Sequence, residues 1–292
     1  MKIQTYSLVV GGRACNATCP YCVSKMTPYQ GVGLHTEMEK INWRNFKIGC
    51  IFAKDNNVST VLFTGKGEPT LWPDQITSFL KKLKSYEFPI IELQTNGIIL
   101  YQQNNLYKKL LKQWYDLGLT TIALSLIHYD NEKNKSIFQP NGQYMNVQKL
   151  IKQLHQIGYS VRMSCIMLNG YIDSIEELEK LITFCRENKV EQLSLRSLEK
   201  PRKSENSDVA EWVTNHRLDD QKTEIIKNFV KDKAVEVMRL VHGATVYDLD
   251  GQNICLTNAL TIDPSNEEIR QLIFFPDGHL RYDWQYRGAI LI

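Results

Sequence analysis

The chain has 292 residues, which is enough for one large domain or two small ones. A chain of this length buries roughly three quarters of its unfolded surface, so it needs neither a disulfide nor a metal simply to fold. The hydrophobic fraction of 43% and the charged fraction of 23% exclude a disordered or fibrous protein. The 35 basic and 32 acidic residues leave a net charge of +3, which gives no support for binding to nucleic acid or to an anionic membrane.

The cysteines are unevenly distributed. No apolar run approaches the roughly 18 residues of a membrane span, and residues 1–10 lack the apolar core of a signal peptide. We therefore predict a cytoplasmic protein, in which thiols stay reduced and a disulfide framework is not expected. Three cysteines fall within residues 15–22, and the other four lie apart at positions 50, 165, 185 and 255. The cluster is the first functional signal.

Strand and helix patterns alternate along the first two thirds of the chain. The predicted strands are residues 5–10, 58–64, 89–95, 120–127, 159–168 and 190–197. The predicted helices are 35–56, with Thr36 as N-cap and Glu39 three residues on, then 73–85, 102–117, 143–157, and 173–188 with Asp173 or Ser174 as cap. This alternation predicts βαβ units around a parallel sheet, wound either openly or part of the way into a barrel.

Several strands carry polar side chains on one face only. A sheet with helices on both faces is apolar on both, so one polar face favours a barrel with a polar interior. The alternative is that these side chains lie in solvent at strand ends. We predict an α/β fold with a partial (β/α)6 TIM-like barrel over residues 1–198. The polar positions are Glu92, Gln94 and Asn96 on the third strand, Arg162 and Ser164 on the fifth, and Gln192, Ser194 and Arg196 on the sixth.

Residues 199–292 are predicted to form an extension that closes or flanks the barrel. It comprises a polar loop or lid over 199–222, a helix over 222–240 and two hairpins, which turn at 250–251 and 276–278. The second turn lies in an aromatic segment over 274–284, typical of a hairpin with cross-strand aromatic pairs. The alternative is that Arg281, Asp283 or Tyr286 lines an active site.

The clustered cysteines form a C-x3-C-x2-C pattern through Cys15, Cys19 and Cys22. Three thiolates on one loop can bind three irons of a [4Fe-4S] cluster and leave the fourth iron open for chemistry. A structural zinc site normally has four closed ligands, and no fourth cysteine or histidine lies nearby. Zinc binding and a chance cluster in a buried loop remain the alternatives.

The pattern, with Tyr21 before the last cysteine and directly after the first strand, resembles the radical S-adenosylmethionine (SAM) superfamily. The resemblance covers about residues 1–198. Residues 64–69, with Gly65, Lys66, Gly67, Glu68 and Pro69, are similar to the Gly-Gly-Glu-Pro motif of that family, which implies binding of the SAM amino group. Lys66 between the glycines departs from the motif. Its side chain could meet an anionic group or face solvent.

Further matches follow later strands in the expected order. Thr95 and Asn96 lie in a segment that looks like the family's Thr-Asn-Gly, Ser125 lies where a family serine contacts SAM, and Arg162 resembles a residue that meets the SAM carboxylate. The resemblance implies a [4Fe-4S] cluster and SAM as cofactors and an external one-electron donor of the flavodoxin or ferredoxin type. Electron transfer to SAM would then yield a 5′-deoxyadenosyl radical that abstracts hydrogen from a substrate.

No residue is firmly predicted to be catalytic, but three are candidates. Arg196 near the barrel mouth could bind a phosphate or carboxylate, or pair with a rim carboxylate. His128 could reach the pocket or lie at the surface. Cys165 is small enough for core packing and could instead donate hydrogen to a substrate.

Three functions are compatible with these patterns. The first is a radical SAM enzyme acting on a small molecule in a deep polar cavity. The core resembles the branch of molybdenum-cofactor synthases and peptide maturases, so the second is modification of a peptide or protein, by a maturase or a glycyl-radical activase. The third is a non-catalytic iron–sulfur protein for electron transfer or sensing. A nucleic-acid substrate is disfavoured because the charge is nearly balanced.

Overall fold

A computed structural model describes residues 2–29, 31–35, 41–240, 243–258 and 268–292. The strands within these ranges are β1 (Lys2–Val9), β2 (Thr60–Thr64), β3 (Ile90–Thr95), β4 (Thr121–Leu126), β5 (Ser160–Met167), β6 (Gln192–Ser197), β7 (Val235–Arg239), β8 (Thr245–Leu249), β9 (Gln252–Asn258), β10 (Glu268–Phe274) and β11 (Leu280–Arg281).

The helices connect these strands and cover one side of the sheet that they form. They are α1 (Val23–Met26), α2 (Trp43–Asp55), α3 (Pro73–Leu83), α4 (Ile98–Gln102), α5 (Asn104–Asp116), α6 (Asn131–Phe138), α7 (Val147–Ile157), α8 (Ile175–Glu187), α9 (Ser207–His216) and α10 (Asp220–Lys233), with short 3-10 turns at Pro69–Leu71 and Lys84–Tyr86. None of the helices in the described ranges is long and apolar enough to cross a membrane.

The strands form a single open sheet in the order β11-β10-β1-β2-β3-β4-β5-β6-β9-β8-β7. Strands β1 to β6 lie side by side in chain order and pair in parallel, which confirms the six predicted βα units. The hairpin strands extend this core at both edges, because β10 pairs in parallel with β1 and β9 pairs in parallel with β6. The C-terminal segments therefore share one sheet with the N-terminal core.

The main hydrophobic core lies between the sheet and the helices. Alternate residues of each strand point into it, and Met163, Cys165 and Met167 of β5 are all buried there. Aromatic rings connect the helices to the sheet. The ring centres of Phe46 in α2 and Phe274 in β10, for example, lie 5.7 Å apart. Burial of apolar side chains on this scale is the dominant favourable term in folding.

The opposite face of the sheet, which we call the inner face, is largely polar. A small separate cluster around Val9, Ile273 and Phe275 forms one apolar part of it. Glu92 of β3 and Arg162 of β5 form an ion pair across β4, so both side chains point to this face. Glu92 is only 3% exposed, and thus the alternative that it lies in solvent at a strand end is wrong. Gln192, at the start of β6, is exposed.

Several predicted helix boundaries need correction. Helix α2 begins at Trp43 rather than near residue 35, because the Asn42 side chain accepts a hydrogen bond from the Asn45 N–H at 3.0 Å and caps the helix. The predicted cap at Thr36 and its partner Glu39 lie outside the described residues.

Other helices also differ from the prediction. The helix predicted over 102–117 is confirmed as α5, which begins at Asn104, and the short helix α4 before it was not predicted. Helix α7 starts at 147 rather than 143, after the cap Asn146, and α6 was not predicted. The cap of α8 is Ser174, which accepts a hydrogen bond from the Glu177 N–H at 3.2 Å.

The predicted loop over 199–222 contains α9, a whole helix. Its apolar side is narrow, with only Val209 and Val213 buried, so its pattern is hard to distinguish from that of a polar loop. The helix predicted over 222–240 ends at Lys233, and residues 235–239 form β7 instead. Both predicted hairpin turns are confirmed, between β8 and β9 and between β10 and β11.

Candidate active site

The cysteine loop lies between β1 and α1 at the carboxyl end of the sheet. Cys15 is exposed, and Cys19 and Cys22 are partly exposed. Backbone hydrogen bonds fix the loop, because the Thr18 N–H donates to the Phe138 carbonyl at 2.9 Å. Carboxyl ends of parallel strands are where α/β proteins place their ligands.

The three thiols lie close enough to affect one another's ionisation. Burial, together with the charges of Glu68 and Cys22, raises the pKa of Cys15 to about 11. Burial also raises the pKa of Cys19 to about 12, with further contributions from Cys22 and Cys15. Three adjacent thiols of this kind suit a cationic iron centre, which takes them as thiolates and releases their protons.

No group of three His, Cys, Asp or Glu side chains in the described ranges is arranged to hold a single metal ion. A structural zinc site normally has four closed ligands, and this loop offers three cysteines. A [4Fe-4S] cluster can take each of three thiolates on a different iron and leave the fourth iron open. The donor set therefore fits the cluster better than it fits zinc.

Glu68 connects the two predicted SAM motifs. Its Oε1 accepts hydrogen bonds from the Thr70 N–H at 3.0 Å, the Thr70 hydroxyl at 2.6 Å and the Thr95 hydroxyl at 2.6 Å. Its Oε2 accepts from the Asn96 N–H at 2.9 Å. The Glu68 N–H donates to the Ala14 carbonyl at 3.0 Å, which joins both motifs to the cysteine loop. We call these five residues the rim network.

Burial governs the ionisation of Glu68. The side chain is 3% exposed, and burial raises its pKa against the lowering effect of its four hydrogen bonds. With four donors around it, the carboxylate is committed chiefly to other parts of the protein. The sequence-based prediction that Glu68 contacts the SAM amino group stays a prediction, and the same holds for the neighbouring Gly65 and Pro69.

Asn96 extends the rim network toward the cysteines. Its Nδ2 donates to Asn16 Oδ1 at 2.7 Å and lies 3.8 Å from Cys15 Sγ. Its Oδ1 accepts from the Ile98 N–H at 3.0 Å, at the start of α4. Asn96 therefore positions the cysteine loop relative to the end of β3.

Gly67 is required for the approach of the cysteine loop. A Cβ at this position would lie 2.0 Å from the Ala14 carbonyl oxygen, closer than real Cβ atoms come to any neighbour. The contact is with backbone, which cannot rotate away. A glycine here is thus dictated by the packing of the two loops.

Tyr21 is buried beneath the cysteine loop. Its ring packs edge-on to Phe138 at 6.3 Å and lies 6.4 Å from Trp212 of α9. The aromatic residue before the last cysteine thus connects the loop to the C-terminal extension. Its predicted contact with SAM stays a prediction.

Lys66 is 5% exposed, so the alternative that it faces solvent is wrong. Its Nζ donates to the Thr27 hydroxyl at 2.6 Å and lies 5.2 Å from the centre of the Trp284 ring. Burial lowers the pKa of Lys66 to about 8. Sequence reasoning did not single out Trp284, because nothing local indicates that the C-terminal hairpin reaches the motif after β2.

Arg162 and Ser125 both lie on the inner face. Arg162 is ion-paired with Glu92, whose other neighbour is Gln94 at 3.1 Å. Ser125 of β4 lies beside Ser164 of β5. Their predicted contacts with SAM stay predictions, and the Arg162 contact would have to compete with Glu92.

The three catalytic candidates lie in different environments. Arg196 of β6 is on the inner face and is partly buried. Cys165 points into the helix-side core and is fully buried, as expected for a packing residue, and burial raises its pKa.

His128 is 1% exposed, so the alternative of a surface histidine is wrong. Its Nε2 lies 2.8 Å from Glu177 Oε2, and its Nδ1 accepts from the Asp130 N–H at 2.9 Å. Both ring nitrogens are therefore engaged by α8 and by the loop before α6. These contacts give His128 a structural role at the end of β4.

The aromatic C-terminal segment contains three residues that could have lined an active site, Arg281, Asp283 and Tyr286. The first and last of these fit the simpler interpretation of a hairpin. Arg281 is 5% exposed and forms two hydrogen bonds to Asp277, at 3.0 and 2.8 Å. Tyr286 is 51% exposed. Asp283 is partly buried, and burial raises its pKa against the effect of the nearby charge of Arg270.

Comparison with known proteins places these observations in a family. Residues 9–185, more than half of the chain, match the family described as the radical SAM superfamily. The GTP 3′,8-cyclase of Staphylococcus carnosus is 28% identical over 169 residues, which cover 54% of this chain and 44% of that protein. The GTP 3′,8-cyclase of Thermodesulfovibrio yellowstonii is 28% identical over 173 residues, covering 57% and 48%. The chain thus spans about half the length of the curated relatives that it matches.

Solved structures support the same fold. SuiB of Streptococcus suis bound to precursor peptide SuiA has a TM-score of 0.60 at 16% identity, over 96% of this chain and 59% of that one. Methylornithine synthase (PylB) has a TM-score of 0.54 at 15% identity, over 90% and 74%. These likenesses confirm the predicted TIM-like parallel core. By its sequence and its fold, the chain belongs to the radical SAM superfamily, whose cofactors are a [4Fe-4S] cluster and SAM.

Proposed function

We propose that this chain uses SAM and a [4Fe-4S] cluster to abstract a hydrogen atom from a small-molecule substrate. The observation that carries the proposal is the rim network, in which Glu68 joins three sequence segments that lie far apart in the chain. Electron transfer or sensing by a cluster alone would not need this junction. When bound, the cofactors supply a one-electron cleavage of SAM and a carbon-centred radical.

The residues assigned to cofactor binding fall into three groups. We assign Cys15, Cys19 and Cys22 to the cluster, because they are the thiols of one loop at the carboxyl end of the sheet. For SAM the assigned residues are Gly65, Lys66, Gly67, Glu68 and Pro69 after β2, Thr95 and Asn96 at the end of β3, and Tyr21, Ser125 and Arg162 around them.

The chain's own residues would act chiefly by positioning. Glu68 and Asn96 hold the cysteine loop against the ends of β2 and β3. The extension covers this region through Trp212 and Trp284, which contact Tyr21 and Lys66. Aromatic cover of this kind excludes water from a reactive site, which protects a radical from side reactions.

A small molecule suits the inner face, because that face carries buried polar side chains such as Glu92 and Ser194. The electron would come from an external one-electron donor of the flavodoxin or ferredoxin type. The sequence after residue 185 contains only Cys255, so a second cysteine-bound cluster within this chain is not proposed.

A peptide substrate is the second candidate, and one observation favours it. Edge strand β7 exposes Val235 by 71% and Val237 by 59%, and an extended peptide can add to such an edge. SuiB, which has a similar fold, is itself bound to a precursor peptide. The site assignment is the same for both candidates.

The deciding experiment is anaerobic. The protein would be reconstituted with iron and sulfide, reduced with dithionite and given SAM, with 5′-deoxyadenosine and the electron paramagnetic resonance spectrum as readouts. We expect deoxyadenosine and a cluster signal that changes when SAM binds. An intact cluster that neither responds to SAM nor yields deoxyadenosine would instead support an electron-transfer or sensing protein.

Cysteine variants test the ligand assignment in the same assay. Cys15→Ala, Cys19→Ala and Cys22→Ala should each abolish the reducible cluster and leave the far-ultraviolet circular dichroism unchanged. Cys185→Ala is the matched control, since this thiol lies in the helix-side core and should leave the cluster intact. Full SAM cleavage by any one of the three loop variants would refute the assignment.

A further inference from the structure

The side chain of Lys66 crosses the loop that carries the three cysteines. On one side of this loop, the Glu68 N–H donates to the carbonyl of Ala14, just before the first cysteine, at 3.0 Å. On the other side, Lys66 Nζ donates to the Thr27 hydroxyl at 2.6 Å. A single helical turn, α1, separates Thr27 from Cys22, which is the N-cap of that turn. The ammonium group is therefore held near the last cysteine of the loop.

The protein provides little negative charge to balance this ammonium group. Within the described ranges, no carboxylate oxygen lies within 4.0 Å of Lys66 Nζ. Burial lowers the pKa of Lys66, and the charge of Cys22, more than that of Glu205, opposes the shift. Both carboxylate oxygens of Glu205 accept hydrogen bonds from Arg287, at 3.1 and 3.0 Å. The strongest negative partner of Lys66 is thus a cysteine of the loop, in its thiolate form.

The C-terminal hairpin shields the ammonium group from water. Lys66 is 5% exposed, and its Nζ lies 5.2 Å from the centre of the Trp284 ring. The Trp284 ring is fixed in turn, because its Nε1 donates to Gln271 Oε1 at 2.6 Å. A charge away from water acts more strongly on its neighbours than one in solvent, since the local dielectric constant is lower.

We infer that the Lys66 side chain raises the reduction potential of the [4Fe-4S] cluster held by the cysteine loop. The inference deepens the proposed function and rests on its assignment of the three loop cysteines as cluster ligands. Three thiolates make the bound cluster net negative, and an electron from the external donor makes it more negative. A fixed positive charge therefore stabilises the reduced form more than the oxidised form. The backbone of Lys66 stays assigned to SAM, so only the side chain takes this role.

An anionic group of SAM or of the substrate is the competing partner of the ammonium group. If the side chain serves such a group, removal of its charge weakens binding but leaves the potential of the ligand-free cluster unchanged. If the side chain serves the cluster, the potential changes even when no SAM or substrate is present. A measurement without SAM therefore separates the two possibilities.

The test is a redox titration of the anaerobically reconstituted protein without SAM, with the electron paramagnetic resonance signal of the reduced cluster as readout. Lys66→Met removes the charge and keeps a side chain of similar length. We expect reduction of its cluster to be about tenfold less favourable than in the wild type, which for one electron lowers the midpoint potential by about 59 mV. Lys66→Arg keeps the charge and should stay within about threefold of the wild type.

Lys54→Met is the matched control. Lys54 Nζ also lies over an aromatic ring, 5.4 Å from the centre of Phe88, but α2 carries it toward the amino end of β2, away from the cysteine loop. The same loss of charge there should leave the potential unchanged. All variants are compared at equal iron content. Should Lys66→Met fail to assemble a cluster, Lys66→Gln decides the point, because its amide is a neutral hydrogen-bond donor.

Two results would overturn the inference. One is a neutral variant at position 66 whose cluster is reduced within about threefold as favourably as that of the wild type. The other is an equal fall in potential for Lys66→Arg and Lys66→Met, which would show an effect of packing and not of charge. Neither measurement uses SAM or deoxyadenosine formation, so failure of this inference and failure of the proposed function are distinguishable.

Discussion

The rim network and the inner-face arginines are both polar, yet they differ in how far their hydrogen bonds are satisfied. In the rim network, Glu68 alone accepts four hydrogen bonds from Thr70, Thr95 and Asn96. On the inner face, Arg162 and Arg196 each leave a buried Nε without a partner. A satisfied network fixes loops in position, whereas unsatisfied buried donors are available to a ligand.

This contrast predicts opposite signs for substitutions in the two regions. Replacing a member of the rim network should destabilise the protein, because its partners lose bonds that they cannot make elsewhere. Replacing the partly buried Arg196, which has no carboxylate within 4.0 Å among the described residues, should relieve a desolvation cost already present in the folded protein. The predictions below test this difference.

The largest effect is expected at Gly67. In Gly67→Ala the added methyl would lie 2.0 Å from the Ala14 carbonyl oxygen, so one of two backbone segments must move. We expect a loss of about 3 kcal/mol in the free energy of unfolding, measured by urea denaturation, and loss of cluster assembly. Gly288→Ala is the control, because nothing lies within 4 Å of its Cβ position. Equal stability of the two variants would show that the loops are not packed as described.

Glu68→Gln should have the next largest effect. A glutamine has one acceptor oxygen, so its amide NH2 must face either the Asn96 N–H or the donors of Thr70 and Thr95. We expect destabilisation of about 2 kcal/mol in urea unfolding. Glu179→Gln, at an exposed position of α8, is the control, and its free energy of unfolding should lie within about 0.5 kcal/mol of that of the wild type. A neutral result at Glu68 would mean that the network does not stabilise the rim.

The same contrast explains what could be predicted from the sequence. The strands β1 to β6 follow from β-branched runs between turn residues, and their polar faces follow from the alternation of side chains. That is why Glu92, Arg162 and Arg196 were correctly expected on one face. The cysteine and glycine motifs are local, so their order along the chain was visible as well.

Non-local contacts were not visible in the same way. The pairing of β10 with β1 and of β9 with β6 joins distant parts of the chain, and no turn signal encodes it. The contact of Trp284 with Lys66 depends on that pairing. Helix starts were misplaced where an asparagine, such as Asn42 or Asn146, provides the cap within a polar stretch.

A smaller effect on stability is expected when His128 is protonated at acid pH. Like Glu68, this residue has its hydrogen bonds satisfied. Burial lowers its pKa even though Glu177 opposes the shift. Since the folded state binds the proton less readily than the unfolded state, the stability due to this group is present above the ordinary histidine pKa and is lost as the pH falls through it.

His128→Gln should therefore reduce the loss of stability between pH 7 and pH 5, measured by urea unfolding at each pH. If His128→Gln lost as much stability between pH 7 and pH 5 as the wild type does, the acid sensitivity would come from other groups.

Glu177 contributes at still lower pH. Its hydrogen bonds from His128, Lys180 and Tyr129 outweigh the effect of burial and lower its pKa to about 2. Its stabilisation is thus present above the unfolded value of 4.5 and is lost as the pH falls toward 2. The two groups should consequently act in separate pH ranges.

The smallest effect, and the one that separates the two regions most sharply, is expected at Arg196. In Arg196→Met an apolar side chain of similar length replaces a partly buried guanidinium that lacks a carboxylate partner within 4.0 Å among the described residues. Removing the desolvation cost should raise the free energy of unfolding by about 1 kcal/mol in buffer without oxyanions. If the methionine variant were less stable than the wild type, Arg196 would stabilise the protein as the rim network does, and the difference between the two regions would not hold.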